Sequence, residues 1–213
     1  MSRAAALLAC AALISCGGGA APAPTAPAAR PVPSNPDETA GLFNDPQRPH
    51  AERVDALRSL RGLRERDPAA WRRAYGSVKD RLWIEASLAD GLSLSALEER
   101  AFIEAIGWLA EMKDVRARFK LELHLDRESV KRKRLPDAAL AAVALGLANY
   151  PDSESARETL WAALKDPKEA PVVRSSCLKA LQAHHPKDLE ALVAKVAASP
   201  DDDWLRSLQK KLR

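Results

Sequence analysis

Residues 136–167 read PDAALAAVALGLANYPDSESARETLWAALKDP. Pro136 and Pro151 each open a segment with helical periodicity. Leu140, Val143 and Leu147 fall three and four positions apart, and Ala156, Leu160 and Leu164 fall four apart, so each set shares one helix face. Alanine and leucine fill much of the remainder and favour helix over strand. Each segment is about three turns long, which is marginal for a helix standing alone in water. Its stripe must therefore be buried against neighbours, and the stretch predicts a helix pair inside a larger set of pairs.

The same grammar extends both ways. Toward the C-terminus come Val173, Cys177 and Leu181, then Leu189, Leu192, Val193 and Val196, then Leu205, Leu208 and Leu212, with Pro167, Pro171, Pro186 and Pro200 as punctuation. Toward the N-terminus, Leu94, Leu97, Ala101 and Ala105 form a stripe widened by Phe102, Ile106 and Leu109. Trp71, Tyr75, Val78 and Leu82 form another, and Val54, Leu57 and Leu60 a third. Asp67-Pro68 predicts an N-cap followed by the first helical residue, and Ser95 with Glu98 a capping box. Asp90-Gly91 marks a helix end. Ser199-Pro200 followed by Asp201, Asp202 and Asp203 places acids at a helix start, where the macrodipole favours them. Residues 115–125 carry two signals. Phe119, Leu121, Leu123 and Leu125 alternate like a strand, whereas Val115, Phe119 and Leu123 repeat like a helix. No partner strand lies nearby, so a helix is expected.

Composition sets the class. Of 213 residues, 46% are apolar and 29% charged, which suits a globular chain, and aromatics at 5% argue against sheet. Three cysteines cannot staple a disulfide scaffold. The chain opens MSRAAALLACAALISCGGG: Arg3 supplies a positive region, and Ala4–Ser15 an apolar core too short to span a bilayer but suited to a signal segment. Residues 17–40 hold six prolines among Gly, Ala, Thr and Ser, and are expected to be a disordered tether. The expected organisation is a signal segment over 1–15, a tether over 16–43 and a helical body over 44–213.

Two resemblances add to this reading. Leu13-Ile14-Ser15-Cys16 resembles a bacterial lipobox, which implies cleavage before Cys16 and diacylglyceryl attachment to its thiol. The rival Leu7-Leu8-Ala9-Cys10 leaves too short an apolar core. Gly17, not being aspartate, implies no inner-membrane retention, so the expected location is the outer membrane, facing the periplasm. In the body, Ile106-Gly107-Trp108-Leu109 and Leu145-Gly146-Leu147-Ala148 occupy like places, as do Val173-Arg174-Ser175 and Leu205-Arg206-Ser207. Together with 136–167, VVRSSCLKALQAHHPKDLEALVAKVAAS and WLRSLQKKL, they resemble HEAT-like repeats of the phycobilisome-lyase type. Arg174, Arg206 and Asp166 match the family's Arg and Asp places. The resemblance covers residues 95–213 and implies an all-α fold, a short α-solenoid of HEAT-like helix pairs, with a surface that binds other proteins.

The search for chemistry is lean. There is no His-Glu-x-x-His, Gly-x-Ser-x-Gly, Walker loop or dinucleotide fingerprint. His184-His185-Pro186 is read as an inter-helix loop before a metal site, and Cys177 as a buried apolar residue before a reactive thiol. No catalytic residue, cofactor or metal is expected. Residues 113–134 hold nine bases and four acids, ending in Lys131-Arg132-Lys133-Arg134, a run suited to an anionic partner surface. Nucleic acid is an unsuitable partner behind an export signal. Among five tryptophans, Trp71 and Trp204 are assigned to the core, and Trp83 and Trp108 to a contact surface. The functional expectation is a lipid-anchored, non-enzymatic scaffold or adaptor in the cell envelope, a monomer or subunit of a hetero-complex, with a protein partner. The alternative is an enzyme or lyase-like accessory built on the same repeats.

Overall fold

The computed structural model describes residues 35–88, 94–126, 128–129 and 135–184. Among these residues the protein is all-helical and contains no strand. The helices are α1 (Pro36–Asn44), α2 (His50–Arg61), α3 (Leu63–Arg66), α4 (Pro68–Ala86), α5 (Ala96–Glu111), α6 (Val115–Leu125), α7 (Asp137–Leu147), α8 (Glu154–Lys165) and α9 (Pro171–His184).

Helices α1, α4, α5, α6 and α8 each start at a side chain that satisfies one of their first N–H groups. The Asp67 carboxylate accepts from the Ala70 N–H at 2.9 Å, with Pro68 as the first helical residue. Ser95 Oγ accepts from the Glu98 N–H at 3.4 Å, and the Glu98 carboxylate accepts from the Ser95 N–H at 2.8 Å. That completes the expected capping box. Those hydrogen bonds with Ser95 hold the Glu98 pKa below its ordinary value.

Helix α1 corrects the expected tether boundary. Pro36 was expected to interrupt structure, but it stands at the helix start, where the missing N–H costs nothing. Asn35 caps the first turn by accepting from the Asp37 N–H, and Thr39, Ala40 and Phe43 are buried. The helical body therefore begins at residue 36, inside the expected tether.

Among the described residues, most of the predicted stripe positions lie in the core, while Leu94 and Leu97 are half-buried. Val54, Leu57, Leu60, Trp71, Val78, Leu82, Leu140, Val143, Leu147, Ala156, Leu160, Leu164, Val173, Cys177 and Leu181 are all buried, while Tyr75 is half-buried. Helix α7 is apolar on nearly every side and lies against α5, α6, α8 and α9. Helices α5, α7 and α9 follow one another as neighbours, and α6 also lies against α8. Every second helix thus meets along this part of the chain.

Gly107 and Gly146, matched in the sequence, have one physical reason in common. A Cβ on Gly107 would sit 2.6 Å from Arg61 Nη2, and one on Gly146 would sit 3.1 Å from Leu121 Cδ2. Both are places where a neighbouring helix sends a side chain onto bare backbone. Arg61 is held there by Glu111 at 2.7 Å and Glu104 at 2.8 Å. Burial opposes its charge, but the two carboxylates outweigh that and raise its pKa. Arg174 is also buried, and its Nε donates to the Leu164 carbonyl at 2.9 Å, satisfying an acceptor in the last turn of α8.

Candidate functional site

Helix α6 is VRARFKLELHL, and it has two apolar faces. Ala117, Leu121 and Leu125 recur four apart and are buried together with His124, whose ring meets Phe102 edge-on at 5.4 Å. The opposite face carries Val115, Phe119 and Leu123, with exposures of 62%, 57% and 42%. Residues two apart on a helix lie about 200° apart, so the alternation over 119–125 loads both faces. The strand-like signal was real but belonged to a helix. A helix forms as expected, and the Val115, Phe119 and Leu123 repeat faces solvent because the face carrying small Ala117 packs onto the body.

The rims of the outward stripe differ. On one side α6 meets α4: the Arg116 guanidinium lies 4.6 Å from the Trp83 ring centre, and Lys120 Nζ donates to Ser87 Oγ at 3.4 Å. Lys79 of α4 is 3.3 Å from Asp114, and Arg116 is 3.4 Å from the same carboxylate. Ile84, also exposed, is three residues from Ser87 and shares its side of α4. On the other side α6 meets the start of α8: Arg118 donates to Ser153 Oγ at 3.1 Å, and Ser155 Oγ donates to Glu122 at 2.8 Å. At the C-terminal end of α6, beside Leu125, a groove of about 360 Å³ is lined by Asp126, Glu158, Asp166 and Glu169. Arg118 also pairs with Glu122 at 3.6 Å and lies 4.6 Å from the Phe119 ring centre, so the stripe has a cationic margin toward α4 and a balanced one toward α8 that leads to the carboxylates of the groove.

Asp114 fixes the start of α6. It caps the helix by accepting from the Arg116 N–H at 3.0 Å, and its backbone carbonyl accepts from Tyr150 Oη at 2.7 Å. Tyr75 Oη donates to its carboxylate at 3.4 Å. Burial would raise the Asp114 pKa, but hydrogen bonds from Arg116 and Lys79 hold it below its ordinary value. Burial and the Asp114 charge push the Tyr75 hydroxyl up to about 12 and raise Tyr150 likewise. These groups brace α4, α6 and the end of α7.

The sequence candidates separate. Trp83 is half-buried beneath Arg116 at the edge of the stripe. Trp108 is fully buried, stacked on Trp71 at 6.2 Å and near Tyr75 at 6.1 Å. It is corrected from a contact residue to a core residue: its place on α5 points it at α4, not at solvent. Lys131, Arg132, Lys133, Arg134, Cys16, His185, Arg206 and Trp204 lie outside the described residues, as do Asp90-Gly91, Ser199–Asp203 and the stripes over 189–212. His184 ends α9, buried, with Nε2 3.0 Å from the Leu147 carbonyl oxygen. Sequence reasoning missed the outward role of Val115, Phe119 and Leu123, although their repeat was visible.

A second charged cluster serves packing. Buried Glu85 of α4 receives Arg53 at 3.0 Å and Arg81 at 3.0 Å, with His50 Nε2 at 3.1 Å. It ties α2 to α4. Among the described residues no three His, Cys, Asp or Glu side chains form a metal-binding group, and no helix is long and apolar enough to cross a membrane. The chain matches no family model, no curated protein and no solved structure in these comparisons.

Proposed function

We propose that this chain is a lipid-anchored protein of the bacterial cell envelope whose helical-repeat surface binds another protein, without chemistry of its own. Cys16 carries the lipid, the proline-rich segment spaces the body from the outer membrane, and the helices form a short HEAT-like solenoid. Two features support the repeat reading: the contacts between every second helix from α5 to α9, and the matched glycines at 107 and 146. The observation that carries the binding reading is the α6 stripe. Three large apolar side chains stand outward on one well-capped helix. Grouped exposed apolar residues rimmed by polar ones mark interaction sites more often than single ones do.

The test is crosslinking in intact cells, followed by purification from the membrane fraction, for the wild type and Cys16→Ser. The expected result is one protein partner at fixed stoichiometry, with the wild type in the membrane fraction and Cys16→Ser lost from it. Recovery of the wild type without any protein partner contradicts the binding reading. Membrane recovery unchanged by Cys16→Ser contradicts the anchor.

A further inference from the structure

We infer that the α6 stripe takes an amphipathic helix of a partner protein, with an apolar row and carboxylates along the flank that meets α4. This rests on the protein-binding reading above and names the chemistry of the partner. The apolar half of the argument is spacing. Val115, Phe119 and Leu123 run four apart over about 12 Å of helix, which matches the anchor spacing of a helix laid alongside.

The polar half is charge. On the α4 margin, Lys79 and Arg116 keep side-chain exposures of 40% and 65% and share a single carboxylate, Asp114. That leaves one positive charge in excess there. On the α8 margin Arg118 and Glu122 pair at 3.6 Å and balance each other, and the groove farther along that side adds the carboxylates of Asp126 and Glu158. A partner helix with acids on one flank satisfies the first margin and keeps those acids away from the groove carboxylates.

Two other occupants fit less well. An anionic lipid surface presents negative charge to both margins at once, and so opposes Asp126 and Glu158. A second copy of the chain, paired antiparallel with Phe119 on the two-fold axis, sets the two α4 margins together, each with the excess charge of Lys79 and Arg116, while on the α8 margins Arg118 and Glu122 only exchange a pairing that each copy already has. Like charges at a contact disfavour that pairing.

The test places a benzophenone amino acid at position 119 of the full-length, lipid-bearing protein in cells and maps the adduct. The expected adduct is one segment of one other protein, with an apolar row at helical spacing and acids on one flank. Arg116→Glu and Lys79→Glu, each checked for an unchanged thermal melt, are expected to cut its yield by about tenfold, the scale of one close charge pair across an interface. An adduct on lipid, on a second copy, or on a segment without such acids overturns the inference, as does a yield indifferent to both charge reversals. If position 119 captures nothing while whole-cell crosslinking still recovers a partner, this inference fails and the broader binding reading stands. If neither recovers a protein, both fail.

Discussion

At the scale of single residues, exposure divides side chains that composition treats alike. Trp108 is enclosed by Trp71 and Tyr75, whereas Phe119 stands in solvent on α6. Trp108→Ala is expected to cost about 3–5 kcal/mol in denaturant unfolding, because the cavity adds to the lost burial. Phe119→Ser is expected to change stability by less than about 0.5 kcal/mol. A large loss at Phe119 would mean that the stripe is packed after all. The two tyrosines of the chain, Tyr75 and Tyr150, make a second test. Both hydroxyls are raised, Tyr75 from 10.0 to about 12, first by burial and then by the Asp114 charge. Folding favours the neutral phenol, so the stability it contributes is complete below pH 10 and is lost as pH rises toward 12. Ultraviolet titration of the native protein at pH 10 is expected to show little tyrosinate, with both groups ionising there once unfolded. Half-ionised tyrosine in the native state would contradict the bracing described around Asp114.

Between residues and elements, Gly107 shows where a local rule yields to tertiary structure. Alanine in a helix interior gains about 1 kcal/mol over glycine. At Gly107 its Cβ would drive the Arg61 guanidinium off Glu104 and Glu111. Leaving those partly buried charges unpaired costs about 1–3 kcal/mol or more, so Gly107→Ala is expected to lower stability by about 1 kcal/mol in chemical unfolding. An increase would show that Arg61 relaxes freely. The helices themselves were legible in the sequence for similar local reasons. Asp67, Ser95 and Glu98 announce their caps by residue type and spacing, and the stripes of α2, α4, α5, α7, α8 and α9 announce their buried faces. Two things were not legible. Pro36 has the same identity as a breaker and as a first helical residue, and only burial of Ala40 and Phe43 decides between them. The two faces of α6 are both apolar, and only the approach of α7 and α8 decides which is covered. Trp108 was misplaced for the same reason, since a tryptophan off the main stripe still packs when α4 arrives from the side. The candidate site was therefore visible as a pattern, but its direction was set by tertiary contacts.

For the whole molecule, the proposal is a lipid-anchored helical body that binds a partner through α6. The central claim of that proposal is that the outward face of α6 holds a partner and does not serve the fold. The most direct measurement is recovery of the crosslinked partner by Phe119→Asp beside the wild type, with thermal melting of both purified proteins. The account predicts that the partner is lost while the melting temperature stays within about 2 °C. A partner recovered undiminished by Phe119→Asp, with the same melting temperature, would contradict it.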